Sequence, residues 1–308
     1  MLFAVTYHLS PITCFMGLRS FEYMEPSSVP EACQILADRP EEARIYAGGT
    51  TLLLLMKQGI VRPAWLVNIK KIPGLKYIEN GSSAIRIGSL TTHHELEVSP
   101  IISRYLPAIT EVEPQVANIR VRSVGTIGGN LGFAEPLTDL PPILISLDAR
   151  VKVADHKSER VFPLEQLFAG YYETTLEPHE LITEIQVDRM APATGLKYIR
   201  FSTGSDKPAI GCAVSVRLDA ATGTCVDARC VLGCVAPTPL RVREAEEVLK
   251  GKPYSAEVAA DAGRIASQAC SPLSDLRGSE EYKRAIAAVL MRRAIEAAFQ
   301  RAAEGKPK

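Results

Sequence analysis

Val124-Gly125-Thr126-Ile127-Gly128-Gly129-Asn130 is the stretch on which the reading of this chain turns. Three glycines in five positions, interrupted only by Thr126 and Ile127, describe a backbone that turns tightly and stays bare. Bare backbone lets successive N–H groups close on an anion, and a run of them forms a nest for phosphate oxygens. Thr126 and Asn130 add side-chain donors at the edges. A second stretch lies about eighty residues upstream, Tyr46-Ala47-Gly48-Gly49-Thr50-Thr51, and opens into the helical run Leu52–Gln58. Glycines that lead into a helix start are another anion-binding element. Either stretch alone reads equally well as an ordinary glycine turn. Together they point to a ligand with two phosphates and an extended body.

The bulk numbers narrow the class. The 308 residues suffice for two or three packed units. Hydrophobic residues make up 46% and charged residues 23%, with Lys+Arg and Asp+Glu balanced at 35 each. That profile belongs to a soluble globular chain, not to a disordered segment or a nucleic-acid binder. No uninterrupted apolar run approaches the roughly 18–20 residues of a membrane helix. Seven cysteines are an odd number, scattered, with no CxxC among them. Cys225, Cys230 and Cys234 match no standard zinc or iron–sulfur spacing, so reduced strand residues are the plain reading and a metal site the alternative. The expected compartment is then the cytoplasm.

Along the chain, Ser27 or Ser28 caps a helix through Glu31–Asp38, Ala43–Ala47 is a strand, and Trp65–Ile69 is another. Strand, helix, strand with short links predicts a small parallel unit. Tyr77–Glu79 and Ala84–Ser89 flank the hairpin signal Asn80-Gly81. Thr91 or Thr92 caps a helix through Leu96–Val98, and helices are predicted over Ile101–Val112 and Pro114–Asn118. Arg150–Ala154, Glu159–Pro163 and Leu181–Val187 read as an antiparallel group. A last unit follows, with strands Gly195–Ser202, Ala209–Asp219 and Thr224–Leu232, then helices Arg241–Lys250, Ala256–Gln268 and Glu280–Ala303. Three strands followed by three helices is an α+β order.

No Ser–His–Asp, Cys–His or paired-carboxylate arrangement stands out. The five histidines fall at termini, turns or helix starts and call for no catalytic account, and the neighbours His93 and His94 cannot share a helix face. No Walker lysine follows either glycine stretch, and GxGxxG is absent. What remains is a cofactor that carries its own chemistry and needs only to be held, a dinucleotide such as FAD. Asp139 reads either as a partner for that cofactor or as a helix N-cap before Leu140–Leu147.

Three motifs together carry a resemblance. Ile45-Tyr46-Ala47-Gly48-Gly49-Thr50-Thr51-Leu52, Thr126-Ile127-Gly128-Gly129-Asn130 and Glu135-Pro136-Leu137-Thr138-Asp139-Leu140-Pro141 resemble the FAD-binding medium subunits of molybdenum hydroxylases, the family of carbon monoxide and xanthine dehydrogenases. Gly88-Ser89-Leu90-Thr91-Thr92-His93 and the run Gly170–Ile182 add to it. The resemblance implies an α+β fold: a PCMH-type FAD-binding domain in two subdomains, plus a C-terminal domain of a three-stranded antiparallel sheet with helices. On this chain the limits are 1–17 for an N-terminal extension, 18–190 for the FAD-binding domain (18–75 parallel α/β, 76–190 mainly antiparallel), and 193–303 for the C-terminal domain.

Carried over by position, Ile45, Tyr46, Ala47, Gly48, Gly49, Thr50, Thr51 and Leu52, with Thr126, Ile127, Gly128, Gly129 and Asn130, hold the pyrophosphate and ribityl part of a non-covalent FAD. Asp139 matches an acidic cofactor contact, Val116 and Ile182 match apolar positions beside the flavin, and Lys197 matches a basic contact. The implied partners are a small subunit with two [2Fe–2S] clusters and a large molybdopterin subunit, in a dimer of heterotrimers. Electrons then pass from molybdenum through the clusters to FAD and on to an external acceptor. Two departures stand out: Thr51 where many members carry Asp or Ser, and Gly132-Phe133-Ala134-Glu135 in place of an Ala-Asn-Ala-Ser type of sequence. No cysteine falls between Cys33 and Cys212, so the iron–sulfur loop inserted in some members is not expected. The alternative is a stand-alone PCMH-type flavin oxidase or reductase, which needs its own acid or base over the flavin.

Overall fold

The computed structural model describes residues 18–204 and 207–305, so the expected extension 1–17 lies outside the described residues. Strand β1 (Glu22–Met24), helix α1 (Val29–Asp38), strand β2 (Ala43–Tyr46), helix α2 (Leu52–Lys57) and strand β3 (Trp65–Asn68) come first. Ser28 starts α1 by accepting the Glu31 N–H at 3.3 Å, and a proline occupies its first turn. The face Ala32, Cys33, Ile35 and Leu36 is buried against Ala43, Val67 and Ile69. β3 lies between β1 and β2 and runs parallel to both.

Strands β4 (Ile78–Asn80) and β5 (Ala84–Gly88) open the second unit. Short helices follow: α3 (His93–Val98), α4 (Pro100–Tyr105), α5 (Pro107–Val112), a 3-10 turn at Glu113–Gln115, α6 (Ile119–Arg122), α7 (Ile127–Phe133) and α8 (Leu140–Ser146). Strands β6 (Arg150–Ala154), β7 (Glu159–Pro163), β8 (Phe168–Gly170), β9 (Glu173–Thr174) and β10 (Leu181–Asp188) complete it. The sheet has the order β4-β5-β10-β6-β7 and every pairing in it is antiparallel. β10 is central and buried over most of its length, the polar Thr183 and Glu184 included.

The last unit holds β11 (Thr194–Phe201), β12 (Ile210–Leu218), β13 (Cys225–Gly233), β14 (Leu240–Arg241), α9 (Arg243–Leu249), α10 (Ala256–Ala269) and α11 (Glu280–Ala303). Ser255 and Ser279 cap the last two helices. α11 buries Lys283, Ala287, Leu290, Met291, Ala294, Ile295, Ala298 and Ala302, a three-four spacing that makes one continuous face. Cys212 lies on β12, Cys225 and Cys230 lie on β13, and Cys234 follows it; burial pushes the Cys225 thiol up to about 11. No group of three metal-ligating side chains occurs among the described residues. No helix among them is long and apolar enough to cross a membrane.

Four expectations need correcting. The C-terminal sheet has four strands, because Leu240 and Arg241 pair with Leu232 and Val231; Pro237 and Pro239 mask so short a strand in the sequence. The helix expected over Ile101–Val112 is two, since Pro107 bars Leu106 from helical torsions and leaves it at φ −135°, ψ 53°. Pro114–Asn118 is not a helix: Asn118 caps the next one, accepting from the N–H groups of Arg120 and Val121. The central glycine stretch is not an open loop either. Thr126 accepts the Gly129 N–H at 3.1 Å, so Gly128 and Gly129 form the first turn of α7.

Candidate functional site

The fold brings the two glycine stretches into contact. A Cβ built on Gly48 would stand 2.2 Å from the Val124 carbonyl oxygen and 2.9 Å from Gly125 Cα. One built on Gly125 would meet His93 Cδ2 at 3.3 Å and Thr50 Cγ2 at 3.6 Å. Only glycine allows backbones this close. Gly49 sits at φ +76°, a left-handed conformation, with the Tyr46 ring packed over it and the Lys70 ammonium 3.8 Å from the centre of that ring.

The two stretches differ in what their amides do. In the second, every N–H from Ile127 to Asn130 is spent inside the protein. Ile127 donates to Thr91, Gly128 to Ser89, and Gly129 and Asn130 to Thr126. Gly128 is bare because Ser89 is there, since a Cβ would lie 2.7 Å from both Ser89 Cβ and its carbonyl oxygen. In the first, the N–H groups of Gly48, Gly49, Thr50 and Thr51 carry no protein hydrogen bond among the described residues, and Thr51 makes no side-chain cap. Four successive unpaired donors around a left-handed glycine form an anion nest. The Asn130 side-chain carbonyl oxygen is also buried without a partner, as is the Ser89 hydroxyl. Buried polar atoms of this kind are costly to leave unmatched and mark a surface built to meet a polar ligand. These residues fit the phosphate and hydroxyl groups of a dinucleotide.

Comparison with known proteins decides the family. Residues 19–189 match the family described as FAD binding domain in molybdopterin dehydrogenase, and residues 197–298 match the CO dehydrogenase flavoprotein C-terminal domain. This chain belongs to the FAD-binding medium subunits of the molybdenum hydroxylases. It is 36% identical to the carbon monoxide dehydrogenase medium chain of Hydrogenophaga pseudoflava, over 92% of this chain and 98% of that one. It is 34% identical to the 6-hydroxypseudooxynicotine dehydrogenase complex subunit alpha of Paenarthrobacter nicotinovorans, over 92% and 96%. Among solved structures, carbon monoxide dehydrogenase from Hydrogenophaga pseudoflava, in a form that lacks the Mo-pyranopterin moiety, superposes with a TM-score of 0.89, covering 92% of this chain and 98% of that one.

The other residues expected at a medium-subunit flavin site fall in two groups. Ile182 on β10 lies beneath α7, its Cδ1 3.7 Å from the Cβ position of Gly132, and Val116 follows the 3-10 turn with its carbonyl held by Arg122 at 3.0 Å. Asp139 and Lys197 instead stand where the two family domains meet. Asp139 accepts from Tyr198 Oη at 2.7 Å and from Arg200 Nε, and Lys197 pairs with Glu111 at 3.6 Å. Burial pushes the Asp139 carboxyl up, against the pull of Tyr198 and Arg200, and pushes the Tyr198 hydroxyl well up. Asp139 also occupies the N-cap position of α8 without bonding to it.

Sequence reasoning gave His93 no role in the site and did not single out Glu113. Thr92 and Glu95 form a capping box that puts His93 on the first turn of α3, and the His93 N–H donates to the Gly125 carbonyl at 3.0 Å. Glu113, wholly buried, shares a hydrogen bond with His93 Nδ1 at 3.0 Å, and burial pushes its carboxyl up against the pull of His93. The Thr92–Glu95 pair was a legible signal for the histidine; nothing in the sequence links it to a glutamate twenty positions on. An open cleft lined by Pro73, Tyr77, Arg86, Lys152 and Glu184 lies elsewhere and shares no residue with the glycine stretches.

Proposed function

We propose that this chain holds one FAD non-covalently and passes electrons between the [2Fe–2S] clusters of a partner subunit and an external acceptor. The observation that carries the reading is the run of unpaired amides at Gly48–Thr51, set against the bare backbone of Gly125. Gly48, Gly49, Thr50 and Thr51 hold the pyrophosphate, Asn130 and the exposed side of Gly129 meet the ribityl chain, and Val116 and Ile182 border the flavin. Ile45, Tyr46, Ala47, Leu52, Thr126, Ile127 and Gly128 shape this cradle. Asp139 and Lys197 border it from the domain junction, and a cofactor contact at Asp139 competes with Tyr198 and Arg200. FAD supplies the exchange between two-electron and one-electron transfer. The proposed domain limits are 18–75, 76–190 and 193–303, and no sheet crosses them: the first and last hold one each, and the middle holds the five-stranded sheet and the two-stranded pair β8-β9.

Substrate is oxidised on a large molybdopterin subunit, the clusters lie on a small subunit, and the assembly is a cytoplasmic dimer of heterotrimers. Support comes from the relatives, which include a carbon monoxide dehydrogenase medium chain and a subunit of a dehydrogenase complex. Purification from the native host tests this, followed by acid precipitation. Both partners should co-purify, and yellow flavin should remain in the supernatant. Flavin left on the precipitate contradicts non-covalent binding. Should the isolated chain run alone and reduce its flavin rapidly with a small substrate, a stand-alone oxidase or reductase replaces the subunit reading.

A further inference from the structure

One titratable side chain faces the place where the glycine stretches meet. The His93 ring edge and the Thr50 methyl both lie against Gly125, beside the Val121 carbonyl, and Thr50 belongs to the run of unpaired amides. Glu113 holds His93 Nδ1 through both carboxylate oxygens, each at 3.0 Å. Glu113 engages Nδ1 through its buried carboxyl, so Nε2 is the free position of the ring. Nε2 has no hydrogen-bond partner among the described residues, although His93 is only 5% exposed.

Titratable and charged groups face His93 from every element packed against it. Glu113 faces it from the turn after α5. Arg122 on α6 is bonded to Glu97 of α3 and to the Val116 carbonyl, and Asp139 ahead of α8 is bonded to Tyr198 and Arg200 of β11. On its own helix His94 pairs with Glu97, and Glu95 is spent on Thr92 and Lys76. From α5, Glu111 turns to Lys197 and Arg301, and on α4 Arg104 lies over Tyr105. The inner set therefore holds three carboxylates (Glu97, Glu113, Asp139) and two guanidiniums (Arg122, Arg200). His93 stands between Glu113 and the glycine stretches.

We propose that His93, oriented by Glu113, donates from Nε2 to a phosphate oxygen of the bound dinucleotide, so that FAD binding takes up one proton; this rests on the flavin reading above. His93 is then a positioning residue for the cofactor, and Glu113 positions His93. The linkage has a definite sign. The protonated ring binds the anion, so affinity is greatest at low pH and falls as pH rises through the imidazole range, by at most tenfold per pH unit.

The test is a flavin-fluorescence titration of the full flavin-free chain between about pH 6 and pH 8.5 at constant ionic strength, spanning the imidazole range. The FAD dissociation constant should rise about tenfold across that span. Riboflavin, which carries no phosphate, should show no such slope. His93→Gln should bind FAD more weakly at the acid end and lose the slope, while His94→Gln should keep it. Glu113→Gln should retain a slope displaced to lower pH. Should His93→Gln fail to fold, proton NMR of the wild-type imidazole replaces it, and its titration midpoint should move up when FAD is added. Tight, pH-independent FAD binding, or an unmoved midpoint, overturns the role of His93 and leaves the flavin reading intact. No FAD binding at any pH overturns the flavin reading itself.

Discussion

Gly48 and Gly128 are held bare by neighbouring backbone, Gly129 only by the Thr126 hydroxyl, and the three respond differently to a methyl group. A Cβ on Gly48 runs into the Val124 carbonyl, and one on Gly128 runs into Ser89. Overpacking of this kind typically costs about 1–3 kcal/mol. Gly48→Ala and Gly128→Ala should therefore lower the melting temperature of the flavin-free chain, by roughly 2–4 °C per kcal/mol. On Gly129 the added carbon meets only Thr126 Oγ1, at 2.9 Å, so Gly129→Ala should hold its flavin-free melting point more nearly and lose FAD affinity instead. Scanning calorimetry without cofactor separates the cases: an unchanged Gly128→Ala transition refutes the packing account. Sequence reading took Gly125, Gly128 and Gly129 as one phosphate nest. The glycine pattern showed that bare backbone was needed, but not against what, because Ser89 and Val124 become neighbours of these positions only in the folded chain.

At the scale of elements, helix α7 was hidden by its own composition. Glycine is among the poorest helix formers, so Ile127–Phe133 reads as a loop until Thr126 is recognised as its cap. Thr126→Ala removes that cap and should cost about 0.5–2 kcal/mol, visible as a lower urea midpoint with unchanged m-value. An unshifted midpoint argues that the bridge between Thr92 and Thr126 alone fixes the turn. A second element is fixed by charge. Arg160 on β7 grips Glu180 at 2.8 and 2.7 Å, just ahead of β10, and this bond holds the Glu180 carboxyl below its ordinary range. A lowered carboxylate contributes stability above its unfolded value of about 4.3, and loses it as pH falls through the lower folded value. Arg160→Ala should thus destabilise the chain at neutral pH and converge on the wild type in acid. Equal differences in urea midpoint at about pH 7 and below about pH 3 contradict an ionic origin.

The three larger sheets were legible in order, because alternation, hairpin signals and helix periods are local; the short pairing of β8 with β9 was not. Nor was how the sheets join. Helix α8 is buried at all seven positions from Leu140 to Ser146, and an all-round apolar run announces burial without naming the partner. In the fold it packs on β12 and β13 of the C-terminal sheet, and Ile143 and Leu144 share one core with Ile85 and Ile87 of the five-stranded sheet and with Leu196, Tyr198, Ala213 and Val231. Polar contacts cross the same junction: Tyr198 to Asp139 at 2.7 Å, Ser215 to the Ser146 carbonyl at 2.7 Å, and Arg301 to Glu111 at 3.1 Å. A junction that shares its core cannot open without exposing apolar surface on both sides. The flavin-free chain should therefore unfold in a single transition, with fluorescence, circular dichroism and calorimetry coinciding. Tyr198→Phe leaves Asp139 short of a donor and should lower that transition by about 1–3 kcal/mol without splitting it. A fragment ending at residue 190 bares one side of α8 and should aggregate or bind hydrophobic dye. Two separate calorimetric transitions, or a folded monomeric fragment, contradict the shared core and return the molecule to independent domains.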